Sequence, residues 1–223
     1  LRHTMDIIWD GVTRAETLQD QWLAIRSVLA DSAKTGDSSK VLGILGKHTE
    51  LTNTFRPGGK ALYAPLHHAA YGGASVEVVN RLIELGAWRT LQNSRGERPV
   101  DVAERRDHGH LLDVLEPVFR RRVPFGILGK IQTHFHGVIR GRADSLVQQH
   151  ALRLPELEPL LELVEPKMWF PIPGMYGGFS YWLESDGVEA TLIAESWCRV
   201  EAGSGQRHEV TSEGSRLMDE GFV

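Results

Sequence analysis

The chain has 223 residues, 41% of them hydrophobic and 24% charged, with a formal net charge of -4. That is globular composition, which argues against disorder and against a membrane protein; no stretch approaches the roughly 18 apolar residues that a membrane span needs. The single cysteine, Cys198, excludes an intramolecular disulfide and a thiolate zinc site and predicts a reducing, cytoplasmic setting.

At the start of the chain, Leu1–Thr4 read as a cloning remnant ahead of a native start at Met5, and residues 5–22 as a lead-in helix or cap. Nothing there has the charged, apolar, small-residue order of a signal peptide. Further on, "APLHHAA" at Ala64–Ala70 is echoed thirty-four residues later by "RPVDVAE" at Arg98–Glu104. Proline suits the first turn of a helix, where its missing N–H has no partner to lose, so Pro65 and Pro99 each start a helix. The first must be short, because Gly72 and Gly73 interrupt it. A second helix runs from Ser75 to Leu85 with Val76, Val78, Val79, Leu82, Ile83 and Leu85 on an apolar stripe, and Gly86 stops it. The plan returns after Pro99 with Val100, Val102 and Ala103, then Gly109, then Leu111, Leu112, Val114 and Leu115 ahead of Pro117. A fainter copy lies upstream at Ala33, Gly36, Val41, Leu42, Ile44 and Leu45.

A period near 33 residues with two short helices per unit is a repeat signature, and these segments resemble ankyrin repeats. "APLHHAAYGGASVEVVNRLIELGA" follows the family's motif nearly throughout, with one extra residue in the Gly72–Ser75 turn. The resemblance covers residues 23–117, about three units, and implies a helical solenoid whose concave face holds another protein. On that plan the partner-binding residues are Lys60, Tyr63, Tyr71, Arg95, Glu97, Arg105 and Arg106, beside Ala61, Ser94, Lys34 and Thr35. Tyr and Arg are frequent interface anchors because they bury large area and still hydrogen-bond. The resemblance also makes His67 a structural histidine bonded to neighbouring backbone and His68 a filler between helices. Adjacent residues on a helix diverge too far to share a metal comfortably. Two departures stand out. Ala64 and Arg98 replace the family's capping threonine, a loss of about 1 kcal/mol per helix unless something compensates. The connection Leu51–Tyr63, with Pro57, Gly58 and Gly59, is long and predicts a projecting finger.

Residues 118–126 read as a basic connector and 127–223 as an α+β domain. A helix is predicted over Ile127–Leu152, with Ile131, Phe135, Val138, Ile139, Leu146 and Val147 on its apolar face and a kink or close packing near Gly137 and Gly141. A short helical piece follows over Pro155–Val164. Then "GGFSYWLES" and "VEATLIAESWCRVEA" flank Asp186-Gly187 as a hairpin, "QRHEVTS" adds a third strand after the "EAGSGQ" turn, and Glu213–Val223 is a closing helix or strand. The fold class expected is therefore a short ankyrin-repeat solenoid followed by one or two helices and a three-stranded antiparallel sheet.

Charge is uneven: Val118–Arg142 holds six basic residues and no acidic one, whereas Ala143–Val223 holds five basic and fourteen acidic. An acidic chain argues against nucleic acid and for a neutralising intramolecular contact. In the second half, His134 and His136 diverge on their helix. Cys198 with His208 is a thiol dyad of non-specific spacing, and His150, Glu195 and Glu209 complete the polar inventory. "PGMYGGF" lacks the Lys and Ser/Thr of a phosphate loop, so its glycines are read as permitting a bulge or close backbone approach. No catalytic residue, metal or cofactor is assigned. "WFPIPGMYGGFSYWL" and "ESWCRVEAGSGQRHEVTSEG" resemble segments of bacterial proteins without assigned activity. The sequence thus predicts a non-enzymatic protein–protein interaction module, acting as an inhibitor, an antitoxin-like protein or a scaffold, with no membrane partner. The alternative is that the α+β half is a small enzyme or ligand-sensing domain to which the repeats recruit a target.

Overall fold

A computed structural model describes residues 7–199 and 204–221. The start expected at Met5 and the first residues of the "EAGSGQ" turn lie outside the described residues. The chain divides into two compact units, one of residues 13–118 and one in which residues 7–12 join the chain from residue 119 onward.

The first unit is helical. Its helices follow one another as three pairs: α1 (Asp20–Thr35) with α2 (Ser38–Leu45), α3 (Pro65–Gly72) with α4 (Val76–Glu84), and α5 (Pro99–Arg105) with α6 (Leu112–Leu115). Local chemistry sets their ends. Asp37 caps α2 by accepting from the Lys40 N–H at 3.1 Å, and Ser75 caps α4 by accepting from the Val78 N–H at 3.3 Å. At α3 and α5, where threonine is missing, the third helical residue reaches back to the cap. The His67 Nδ1 accepts from the Ala64 N–H at 3.4 Å, and the Asp101 Oδ2 accepts from the Arg98 N–H at 2.7 Å. This is the returning half of a capping box, and it offsets the expected loss.

Within this unit α1 and α5 both pack on α3, while α2 and α6 both pack on α4. Leu29, Leu45, Leu66, Val79, Leu82, Val102, Leu111 and Leu115 belong to a single buried cluster that runs through all three pairs. The long connection before α3 is tied down: Asn53 donates to the Gly86 carbonyl at 2.8 Å and accepts from the Trp88 N–H at 2.9 Å, and the Gly58 N–H reaches the Thr13 carbonyl at 2.7 Å.

The second unit is a sheet backed by a helix. Strands β1 (Lys167–Ile172), β2 (Gly177–Ser185), β3 (Thr191–Cys198), β4 (Ser204–Thr211) and β5 (Gly214–Glu220) lie in chain order, each antiparallel to the next. Two helices precede them, α7 (Phe125–Gln149) and α8 (Glu158–Glu162). α7 breaks at Ala143, whose φ of -146° is not helical, two residues beyond the predicted Gly141. Phe135 of α7 meets Phe179 and Tyr181 of β2 at ring distances of 6.3 and 4.9 Å, and Met168, Phe170, Leu192, Ala194 and Val210 are buried with them. The opposite face is apolar too, through Ile193, Trp169, Trp182 and Trp197. It is covered by its own side chains: Trp169 stacks near Trp197 at 6.0 Å, and Lys167 and Arg207 lie over Trp182 at 4.9 and 5.8 Å. That explains why β3 has no wholly polar side.

The expected fold class is corrected on two counts. The sheet has five strands, not three. β1 was hidden by Pro171, which reads as a breaker yet sits on an outer strand, where a missing N–H costs little; the tail, expected as a helix or a strand, is the strand β5, exposed along nearly its whole length and without apolar alternation. In place of a solenoid, the described residues form eight helices followed by that sheet. The third helical pair shrinks to seven and four residues, entered through a 3-10 turn at Gly109–Leu111, and all three pairs close on one core.

The "PGMYGGF" glycines allow close backbone approach. A Cβ on Gly177 would lie 2.0 Å from the Trp197 carbonyl oxygen, and one on Gly178 would lie 2.2 Å from that of Phe170. Gly177→Ala is therefore expected to lower stability by about 2 kcal/mol or more. Gly129→Ala, with open space in mid-helix, should instead raise it by about 0.5–1 kcal/mol. Urea unfolding followed by tryptophan fluorescence checks both, and equal midpoints for the two variants would contradict this packing.

Candidate protein-binding face

Two loops of the helical unit carry the face. The segment before α3 presents Lys60, Ala61 and Tyr63, with Leu62 in the left-handed region at φ 53°. The segment before α5 is folded around Asn93, whose Oδ1 accepts from the Arg95 and Glu97 N–H groups at 2.7 and 3.1 Å and whose Nδ2 donates to Glu97 Oε2 at 2.8 Å. The Ser94 N–H donates to the Ala61 carbonyl at 3.0 Å and joins the two loops. Beneath them is His67, fully buried. Its Nδ1 already accepts from Ala64, so its Nε2 carries the proton and donates to the Glu97 carbonyl at 3.2 Å.

On this frame the side chains converge. Arg105 donates through Nε to Glu97 Oε1 at 2.7 Å and through Nη2 to the Tyr63 hydroxyl at 3.2 Å. Hydrogen bonds from Arg105, and then from Asn93, hold the Glu97 carboxyl below the usual carboxylate range. The Tyr63 ring lies 6.1 Å from that of Tyr71 and 5.3 Å from that of His68. The Arg106 guanidinium sits 4.4 Å from the Tyr71 ring centre, while Tyr71 stays 43% exposed. Behind it, His108 and His110 point their Nε2 atoms at the Tyr71 and Ala74 carbonyls, 3.2 and 3.0 Å away, at the end of α3.

Of the seven residues picked from sequence, the structure joins five: Tyr63, Tyr71, Glu97, Arg105 and Arg106. Arg95 is exposed and acts on Glu97 through its charge. Lys60 is exposed and stands apart from these contacts. Sequence reasoning undervalued His68. It abuts Tyr63, lines a cavity of about 110 Å³ with Ala33, Pro65 and Ala69, and has its pKa lowered from 6.5 to about 4, by burial first and then by the charges of Lys34 and Arg56. The signal available was its place one residue after the structural histidine, on the side facing α1.

The polar inventory of the sheet unit does not converge. Strand alternation puts Glu195, paired with Arg207 at 3.6 Å, on the face opposite His208. The Cys198 thiol donates to the Met175 carbonyl at 3.2 Å, four residues along β3 from the position opposite His208. The His136 Nε2 lies 2.8 Å from the Pro155 carbonyl. Among the described residues no group of three or more His, Cys, Asp or Glu is placed to hold a metal ion, and no helix is long and apolar enough to cross a membrane.

No family model matches the chain, and no curated protein does. Among solved structures, one similar chain is found in the complex of the predatory endopeptidase Bd0816 from Bdellovibrio bacteriovorus with the immunity protein Bd3460. Identity is 20%, the match covers 54% of this chain and 66% of that one, and the TM-score is 0.35. A likeness this slight carries neither fold nor function across.

His68 gives the face a pH signature. Between about 4 and 6.5 the unfolded state binds the proton that the folded state refuses, so stability from this residue is whole above the unfolded value and is lost as pH falls through that window. The thermal midpoint of the natural chain should drop further between pH 7 and pH 4.5 than that of His68→Gln. Equal drops in the two proteins would contradict the assignment.

Proposed function

We propose that the helical unit is a non-enzymatic protein-binding module, and that its partner presents carboxylates to the Tyr63, Tyr71, Arg105 and Arg106 patch. The observation carrying this reading is the arrangement of Tyr71. Its ring is 43% exposed, yet it is held between Tyr63 at 6.1 Å and the Arg106 guanidinium at 4.4 Å. Two tyrosines and two arginines held by one another offer large contact area and lose little rotamer freedom on binding. The charge of the patch favours an acidic partner. Glu97 and Arg105 neutralise one another, with Asn93 also on the carboxylate, which leaves the exposed Arg106 and Arg95 to set the outward potential.

The test is capture from a lysate of the source cells with the full chain as bait, quantified by mass spectrometry. Proteins held by the natural chain should be rich in surface carboxylates. Their recovery should fall by about 30-fold, the equivalent of a 2 kcal/mol anchor, with Tyr71→Ala or with the pair Arg105→Glu and Arg106→Glu, while the thermal midpoint stays in place. Capture should also weaken with added salt. Unchanged recovery by both variants overturns the proposal.

A further inference from the structure

The sheet ends at β5, a strand whose outer edge meets no other strand among the described residues. Such an edge presents unpaired N–H and C=O groups and invites another strand. Its composition does not repel one. Leu217 and Met218 are 46% and 49% exposed, and α7 packs against β4 and β5, so neither apolar side chain is taken into the core.

We propose that β5 pairs with β5 of a second copy of this chain, antiparallel and about a two-fold axis, to give one continuous sheet of ten strands. The argument is the self-complementarity of "GSRLMDEG", Gly214–Gly221. Centred between Leu217 and Met218, the antiparallel alignment sets Arg216 opposite Asp219 of the partner subunit, Leu217 opposite Met218 of the partner subunit, and Ser215 opposite Glu220 of the partner subunit. The glycines fall at both ends. Each pair occurs twice, as a two-fold requires.

Strand geometry tests this alignment severely, because residues directly opposite one another must lie on the same face of the sheet. In an unbroken strand Arg216 and Asp219 are three apart and point to opposite faces, so the alignment fails. β5 is not unbroken. Arg216 pairs with Glu209 and Asp219 with Arg207, while the register shifts by one residue between Arg207 and His208. Glu209 and Arg207 share a face of β4, so Arg216 and Asp219 share a face of β5. By the same register Ser215, opposite Val210, and Glu220, opposite Gln206, share the other face. A bulge on an outer strand often turns the edge away from neighbours; here it supplies the parity that charge matching needs.

Sedimentation velocity of the full chain over a concentration series tests the pairing. The natural chain should form a dimer. Arg216→Asp alone sets carboxylates opposite carboxylates across the two-fold, and Asp219→Arg alone sets guanidinium groups opposite one another, so each variant should self-associate at least tenfold more weakly. Mixed one to one, the two variants restore both opposite-charge pairs, and the dimer should return. Mixing leaves each variant's own fold unchanged, so recovery reports on the interface and not on folding. A natural chain monomeric at every concentration, a dimer indifferent to the substitutions, or variants that do not recover on mixing would each overturn the proposal. The first outcome would leave the edge to an extended peptide of another protein.

Discussion

The helical unit turns on one buried imidazole. His67 accepts from the chain entering α3 and donates to the Glu97 carbonyl of the next loop, so a single ring fixes the separation of two segments thirty residues apart. Each outer contact then depends on the one beneath it. Glu97, once placed, holds Arg105; Arg105 holds the Tyr63 hydroxyl; and Tyr63 stands beside Tyr71 and His68. An uncharged, fully enclosed hub suits this task, because an unpaired buried polar atom costs far more than a satisfied one gains. The surface contacts above it are individually weak, and their value lies in the order they impose on flexible side chains before any partner arrives.

The sheet unit obeys a different constraint, that of closing a core with a single long helix. Phe135 supplies the central ring contact to β2, and Tyr181 is enclosed so completely that burial pushes its hydroxyl well above the usual phenol range. That hydroxyl lies 3.2 Å from the Met168 sulfur. One helix cannot cover both sides of five strands, and the remaining side is shielded by three tryptophans under the stems of Lys167 and Arg207. Aromatic residues there are the consequence of a shortage of helices, which is why their abundance in the sequence did not by itself mark a site.

Legibility followed range. Features set by a few neighbouring residues were readable: Pro65 and Pro99 as helix starts, Gly86 as a stop, and β2 to the residue as Gly177–Ser185. Features set by distant partners were not. β1 alternates, with Met168, Phe170 and Ile172 buried between Lys167, Trp169 and Pro171, but its aromatic and proline outer positions blur that pattern in the sequence. β5 has no apolar alternation, so its segment stayed open between helix and strand until a neighbour offered a ladder. The face was half legible. Its residue types and loop positions pointed to Tyr63, Tyr71 and the arginines. The bond between Tyr63 and Arg105 spans 42 positions and depends on how α3 and α5 settle together. Compensation at the two caps was invisible for the same reason, since it required knowing which way His67 and Asp101 turn.

The two margins of the sheet are unlike. Beside β1, Ile8 forms a bridge with Trp169, the Trp9 N–H donates to the Trp169 carbonyl at 2.9 Å, and the Trp169 N–H donates to the Ile7 carbonyl at 2.8 Å; Pro171 offers no donor at all. That side is stoppered from within the same molecule. A ribbon that can grow from one margin only must halt after a single addition, so the architecture favours a finite assembly and guards against the open-ended stacking that threatens sheets bare on both sides.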